Sequence, residues 1–281
     1  MANKILNSYE DNGYVLIKNF IKSDDFNLIC ENFKKDTLIE FNKLEKNIGG
    51  NLMGNLNIYP GTYGKNIFDI LDKKKLNDLI EKITKKKFHD FDIISGGNLN
   101  FQFKFNQHFH TDSKFHNSFL IINIATENID EKNGPLELVP GTHKTKLPYW
   151  KFIFKKPKKK ISMERGDILI RTSNLWHRGT KNSSKESRLL LNFILKDKIN
   201  ERPNYDFLNN NKLQIFNNLF KSNILGSIRE NFYTRLSYFY VLLDRRRFSV
   251  SGKDLRNRVL TATRVRIPWE DIQVMSLNLI H

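Results

Sequence analysis

Apolar positions along this chain recur with two different periods, and the switches between them predict its organisation. Residues 5–45 read as a short helix, a strand and a longer helix. Gly13 punctuates, Tyr14-Val15-Leu16-Ile17 is a strand-sized apolar run, and Ser23-Asp24-Asp25 can cap a helix. That helix carries Phe26, Ile29, Cys30 and Phe33 at the three- and four-residue spacing of one helical face. Residues 46–66 hold Gly49-Gly50, Gly54, Pro60-Gly61 and Gly64, and read as a long loop with short extended pieces. Residues 68–87 read as one helix, with Ile67, Ile70, Leu71, Leu76, Leu79, Ile80 and Ile83 on its apolar side.

From residue 91 to 195 the pattern shortens to strands between turns. Residues 99–106 alternate without a break, Phe101, Phe103 and Phe105 facing one way and Gln102, Lys104 and Asn106 the other. Residues 119–125 are a second apolar strand; Asn133-Gly134 is a hairpin-type turn and Pro140-Gly141 another turn signal; Gly166-Asp167 introduces Ile168-Leu169-Ile170; and residues 188–195 close the series. Short strands at this spacing predict a barrel or jelly roll with flanking helices. Beyond residue 200, Leu213, Ile215, Phe216, Leu219, Phe220, Ile224, Leu225 and Ile228 recur at helical spacing. The division predicted is therefore a mainly β domain over residues 1–200 and a basic helical C-terminal appendage over 201–281. In the appendage Arg245-Arg246-Arg247, Arg256, Arg258, Arg264 and Arg266 replace the earlier Lys/Asn bias.

Composition narrows the class more than the chemistry. The chain has 281 residues, 39% hydrophobic and 27% charged, enough for a sizeable core. No apolar run reaches membrane-span length, and no secretory signal is visible at the start. The single cysteine, Cys30, excludes an internal disulfide, so a reducing, cytoplasmic setting is expected. The formal net charge of +17 admits an acidic substrate, a membrane surface or nucleic acid. The Lys/Asn/Ile/Phe bias is also what AT-rich codons produce, with lysines filling solvated faces. The run Lys155-Lys156-Pro157-Lys158-Lys159-Lys160 lies between predicted core strands and is read either as such a loop or as a lure for phosphate or carboxylate.

Three side chains carry the chemistry. On a strand, residues two apart share a face, so His110 and Asp112 project together. His177, in Leu175-Trp176-His177-Arg178-Gly179 just past a predicted strand, supplies a ligand from elsewhere in the fold. Two imidazoles and one carboxylate are the ligand set of non-haem Fe(II) oxygenases, in which three protein ligands leave three positions open for chemistry. Arg188 opens the apolar strand Leu189-Leu190-Leu191, where a buried charge needs an anionic partner. Its planar fork matches a carboxylate; a strand-edge ion pair with Glu186 is the plain alternative. His108 shares a face with His110, but three alternate residues span about 13 Å of strand and cannot converge on one ion. His116 reads as a loop residue, His143 as a packing residue after a Pro-Gly turn, and His89 and His281 lack supporting context.

These residues resemble the phytanoyl-CoA dioxygenase family of Fe(II)/2-oxoglutarate-dependent oxygenases, over roughly residues 8–195. The resemblance rests on Asn12-Gly13-Tyr14-Val15-Leu16, His110-Thr111-Asp112, the stretch from Asn133-Gly134-Pro135 to Pro140-Gly141-Thr142-His143, Gly166-Asp167-Ile168, His177 and Arg188. It implies a double-stranded β-helix (jelly roll, cupin-like), with Fe(II) on His110, Asp112 and His177 and the distal carboxylate of 2-oxoglutarate on Arg188. It also implies O2 as oxidant and Gln102 and Lys104 as further co-substrate contacts on the side of His110. Many members carry a hydroxyl residue two positions after the distal histidine. Here that position is Gly179, and Thr180 is the next candidate. The expected reaction is hydroxylation of a C–H bond in a small molecule, an anionic one included, with release of succinate and CO2. Dealkylation of nucleic acid and a turnover-deficient binding module are the alternatives. An intact Asp112 argues against halogenation, and the loops at 46–66, 113–118 and 145–160 are the expected substrate walls.

Overall fold

The computed structural model describes residues 2–44, 54–107, 109–113, 115–146, 157–198, 211–216, 224–225 and 228. The N-terminal elements are α1 (Ala2–Asn12), β1 (Tyr14–Ile17), α2 (Asp24–Lys43), β2 (Asn55–Tyr59), α3 (Thr62–Ile70) and α4 (Lys73–Thr84), followed by a 3₁₀ turn (Phe88–Asp90). The core strands are β3 (Phe91–Asn100), β4 (Leu120–Ala125), β5 (Leu136–Leu138), β6 (Lys159–Ile161), β7 (Ile168–Thr172), β8 (His177–Gly179) and β9 (Arg188–Asp197), with β10 (Gln214–Phe216) beyond them. The large sheet runs β1-β7-β4-β9-β3-β2-β10 and the small one β6-β5-β8; every pairing of named strands is antiparallel. Helices on one side and a second sheet on the other give the jelly-roll arrangement the pattern predicts.

Alternation along the strands builds the two faces. Ile93, Leu99, Ile122, Ile168, Ile170, Leu189, Leu191, Phe193 and Leu195 pack with Phe26, Phe33, Ile67, Leu76 and Ile80 of the helices into one core. The facing positions enclose a smaller core between the sheets, with Tyr14, Ala125, Leu138, Leu169, Leu175 and Leu190. They also carry the polar and charged side chains of the site. Ser23 caps α2 by accepting from the Phe26 amide at 3.1 Å, worth about 1 kcal/mol.

Four features depart from the pattern. The helix expected over 68–87 is two helices, because Leu71 is extended and Asp72 caps α4 by accepting from the Lys75 amide at 3.0 Å. The strand expected over 99–106 stops at Asn100, where its partner β9 begins; Phe101 instead donates its amide to Gly54 O, and Gln102 makes an isolated parallel bridge to Asn182. Residues 214–216, expected to be helical, pair with β2, and Ile215 packs on the helix-side core. The Asn133-Gly134 turn does not close a hairpin: it carries the chain from the large sheet to the small one. The rest of the C-terminal helical appendage, apart from residues 211–213, Ile224, Leu225 and Ile228, lies outside the described residues, as do His108 and His281.

Candidate metal centre

Two backbone contacts bring the separated segments of the triad together. His110 and His177 exchange N–H···O bonds of 2.8 and 2.9 Å, and the Asp112 amide donates to Ser173 O at 2.8 Å. The strand bearing His177 is itself pinned. Val139 donates to Trp176 O at 2.9 Å, and the Trp176 amide donates to the Thr142 hydroxyl at 3.1 Å, so the Pro140-Gly141-Thr142 turn exists to hold the neighbour of His177. Across the small sheet, Arg178 pairs with Glu137, and its guanidinium lies 4.4 Å from the ring centroid of Phe109, the residue before His110.

One ligand atom from each of His110, Asp112 and His177 lies within 4.8 Å of the others. His177 Nε2 is 3.4 Å from Asp112 Oδ2, and His110 Nε2 is 4.0 Å from Asp112 Oδ1. Ligand atoms about 2.1 Å from one ion on a face of an octahedron are about 3 Å apart, so small side-chain rotations suffice. The donor chemistry fits as well. His177 Nδ1 lies 2.9 Å from Leu175 O, and a carbonyl only accepts, so the proton sits on Nδ1 and Nε2 keeps its lone pair. Burial, joined by the Arg171 charge, pushes the His177 imidazole well below its ordinary value, into the neutral form that binds metal. Burial works to raise the Asp112 carboxyl; the surrounding positive charge outweighs it and holds the group well below the usual carboxylate range. With His177 neutral, Arg171 is the principal source of that charge. Asp112 Oδ2 is buried and has no aligned hydrogen-bond donor, an acceptor left for an ion.

Arg188 is buried at the start of β9, opposite Asn100. Nη2 donates to Gly134 O at 2.7 Å, while Nε has no hydrogen-bond partner among the described residues. No described carboxylate lies within ion-pair distance: Glu186 reaches Lys34 instead, and Glu127 accepts from the Leu189 amide and pairs with Lys34. Burial pushes Arg188 down to about 10, with Glu127 acting to raise it, so it stays charged at neutral pH. The turn at Asn133-Gly134-Pro135 serves this end of the barrel. Gly134 has φ +86°, and a Cβ there would lie 2.5 Å from Asn100 Nδ2 and 2.9 Å from Thr180 O.

The other expected contacts fare differently. Gln102 and Lys104 are exposed, and with the strand ending at Asn100 the face they were to share with His110 does not form. Thr180 is buried beside the Arg188 turn, but its hydroxyl donates to Pro135 O at 2.7 Å. A Cβ on Gly179 would sit 2.8 Å from Gln107 Oε1, which accepts the Gly179 amide, so a hydroxyl residue at 179 would have to displace that side chain. His116 and His89 are exposed, and His143 Nε2 lies 3.1 Å from Glu10 O. The pattern reading passed over one residue, Arg171, buried on β7 with Nη2 2.8 Å from Asp112 Oδ2. Its signal was there: a lone arginine ending the apolar run Ile168-Leu169-Ile170.

Among solved structures, the fold is similar to the epimerase SnoN in complex with Fe3+, alpha-ketoglutarate and nogalamycin RO (TM-score 0.56, 14% identity, 70% of this chain and 83% of that one). It is similar to HygX from Streptomyces hygroscopicus with nickel and 2-oxoglutarate bound (TM-score 0.53, 11% identity, 71% and 88%). It is also similar to EctD from S. alaskensis with bound Fe (TM-score 0.53, 12% identity, 73% and 80%). No curated protein matches the chain. The fold, the His-Asp-His cluster and the sequence define an Fe/2-oxoglutarate-dependent oxygenase. The model of the phytanoyl-CoA dioxygenase (PhyH) family matches residues 9–190, and the chain belongs to that family.

Proposed function

We propose that this chain hydroxylates a C–H bond of a small polar molecule, with His110, Asp112 and His177 holding Fe(II) and Arg188 holding the distal carboxylate of 2-oxoglutarate. The observation that carries the reading is the convergence of the three ligand atoms within 4.8 Å in a barrel that also buries an arginine with no carboxylate at ion-pair distance among the described residues. Bound iron would supply the oxidising power, substrate, 2-oxoglutarate and O2 giving hydroxylated substrate, succinate and CO2. The protein's own contribution is geometric and electrostatic. Leu175 O and the His110–His177 bridge orient the imidazoles, Arg171 keeps Asp112 ionised, and the Gly134 carbonyl aims Arg188.

A small-molecule substrate is in keeping with relatives crystallised with nogalamycin RO and with hygromycin B. An anionic one is supported by Lys158, whose ammonium lies 5.9 Å from the ring centroid of Phe109, next to His110. Lys155 and Lys156 lie outside the described residues, as do parts of all three expected substrate walls. No described helix is long and apolar enough to cross a membrane. The buried, unpaired Cys30 suits the cytoplasm we assign. The division at residue 200 is retained as part of the proposal, with β10 returning from the appendage to the large sheet.

The test is anaerobic addition of Fe(II) and then 2-oxoglutarate, watched for a visible charge-transfer band, followed by succinate assay on admitting O2. Substrates are then screened for a mass gain of one oxygen. A band and succinate are expected; neither appearing, with metal shown to be bound, overturns the reading.

A further inference from the structure

A second arginine stands at the metal end of the same barrel. Arg171 is 5% exposed, and each of its guanidinium nitrogens has a distinct situation. Nε donates to Asn123 Oδ1 at 3.1 Å, Nη2 lies 2.8 Å from Asp112 Oδ2, and Nη1 is buried with no hydrogen-bond partner among the described residues. An unsatisfied buried donor on a charged group costs free energy, so its persistence calls for a ligand.

The guanidinium is built in by a chain of amides across the sheet. Asn123 donates to Asn192 Oδ1, Asn192 to Asn98 Oδ1 at 3.0 Å, and Asn98 to Asn57 Oδ1 at 3.0 Å. The chain crosses β7, β4, β9, β3 and β2. Asn123 and Asn192 are directly opposed, as are Asn98 and Asn57, while the other two steps run diagonally. Arginine can only donate. Asn123 must therefore turn its oxygen to Arg171, which leaves its amino group for Asn192, and the same choice passes down to Asn57. One charged residue sets the orientation of four amides, and they in turn fix its Nε.

We propose that Arg171 is a second carboxylate-binding arginine, taking through Nη1 the metal-proximal carboxylate of the 2-oxo acid, at the opposite end of that molecule from Arg188. Nη1 is no more than about 5 Å from Asp112 Oδ2, since it shares a carbon with Nη2. A carboxylate chelating the ion that Asp112 binds would lie about 3 Å from the ligating aspartate oxygen, within that reach. The electrostatics agree: a fixed positive charge beside the site disfavours a bare cation and favours an anionic chelate on it.

This inference rests on the assignment of the triad and Arg188, and the experiment separates the two. Full-length protein is loaded with Co(II) without O2, and the d–d spectrum is followed while 2-oxoglutarate, or 2-oxopentanoate lacking the distal carboxylate, is titrated in. R171M is expected to bind Co(II) as tightly as the parent or more tightly, yet both oxo acids about 10–100-fold more weakly. R188M is expected to weaken 2-oxoglutarate alone. R171K, which keeps the charge but not the fork, should recover part of the loss, and N123L should give a smaller loss of the same sign. These two provide folded readouts if R171M does not fold. A merely structural Arg171 would weaken metal and oxo acid together. That result, or 2-oxopentanoate binding within twofold of the parent in R171M or in both N123L and R171K, overturns the proposal. Failure of the parent to bind Co(II) or 2-oxoglutarate overturns the underlying assignment instead.

Discussion

Replacing Arg188 by methionine separates an anion clamp from a structural ion pair, because the two roles predict opposite effects on the metal-free protein. Burial lowers the Arg188 pKa from its ordinary value to about 10, equivalent to roughly 3 kcal/mol spent on keeping the charge inside. Methionine removes that cost. It also removes the 2.7 Å bond to Gly134 O, a charge-assisted bond worth about 1.5–3 kcal/mol. The two terms nearly cancel, so the melting temperature without metal should move by no more than about 5 °C. Affinity for 2-oxoglutarate should instead fall by two to three orders of magnitude, the roughly 3–4 kcal/mol lost when one partner of a buried, hydrogen-bonded charge pair is truncated. Were Arg188 a structural ion-pair partner of Glu127, removing it would break a pair with one member fully buried and cost about 3–5 kcal/mol. Scanning calorimetry of the metal-free protein and a 2-oxoglutarate titration of the Co(II)-loaded protein provide the two readings. A melting temperature lowered by 10 °C or more with co-substrate affinity intact would refute the reasoning.

Two further outcomes follow from the structure. Gly166 has φ +88°, and a Cβ there would lie 2.2 Å from Ile21 O, so Gly166→Ala should destabilise the fold by about 2–4 kcal/mol; a urea midpoint equal to the parent's would contradict this. His177 and His143 both have folded pKa values lowered by burial, so below pH 6.5 the unfolded chain takes up protons that the native state refuses. Their contribution to metal-free stability is therefore present above the unfolded value and lost as pH falls through the folded one. Urea midpoints should decline from pH 7 to pH 5, and a flat profile over that window would count against buried, neutral imidazoles.

The metal ligands were legible because their pattern is local. His110 and Asp112 are two residues apart in extended chain, and their shared direction follows from the backbone. His177 and Arg188 were legible through neighbours: a turn and strand before the first, an apolar run after the second. Gln102 and Lys104 were misplaced because alternation shows which residues share a face, not where a strand ends. That end is set by the partner, and β9 begins only at Arg188. Residues 214–216 went astray for a related reason: a short apolar run suits a helix or a strand, and the edge of β2 decided between them.

From the order of residues alone came the jelly-roll class, the His110, Asp112 and His177 cluster, the buried arginine we propose as a clamp and the likeness to a family, all carried by spacing within a segment or by side-chain chemistry. Tertiary structure alone decided that Arg171 meets Asp112, that four asparagines from four strands join in one hydrogen-bonded line, and that the Gly179 amide is held by Gln107. Each of these depends on pairings between strands far apart in the chain. Their register is settled by which faces are buried together, information that no local window of sequence contains.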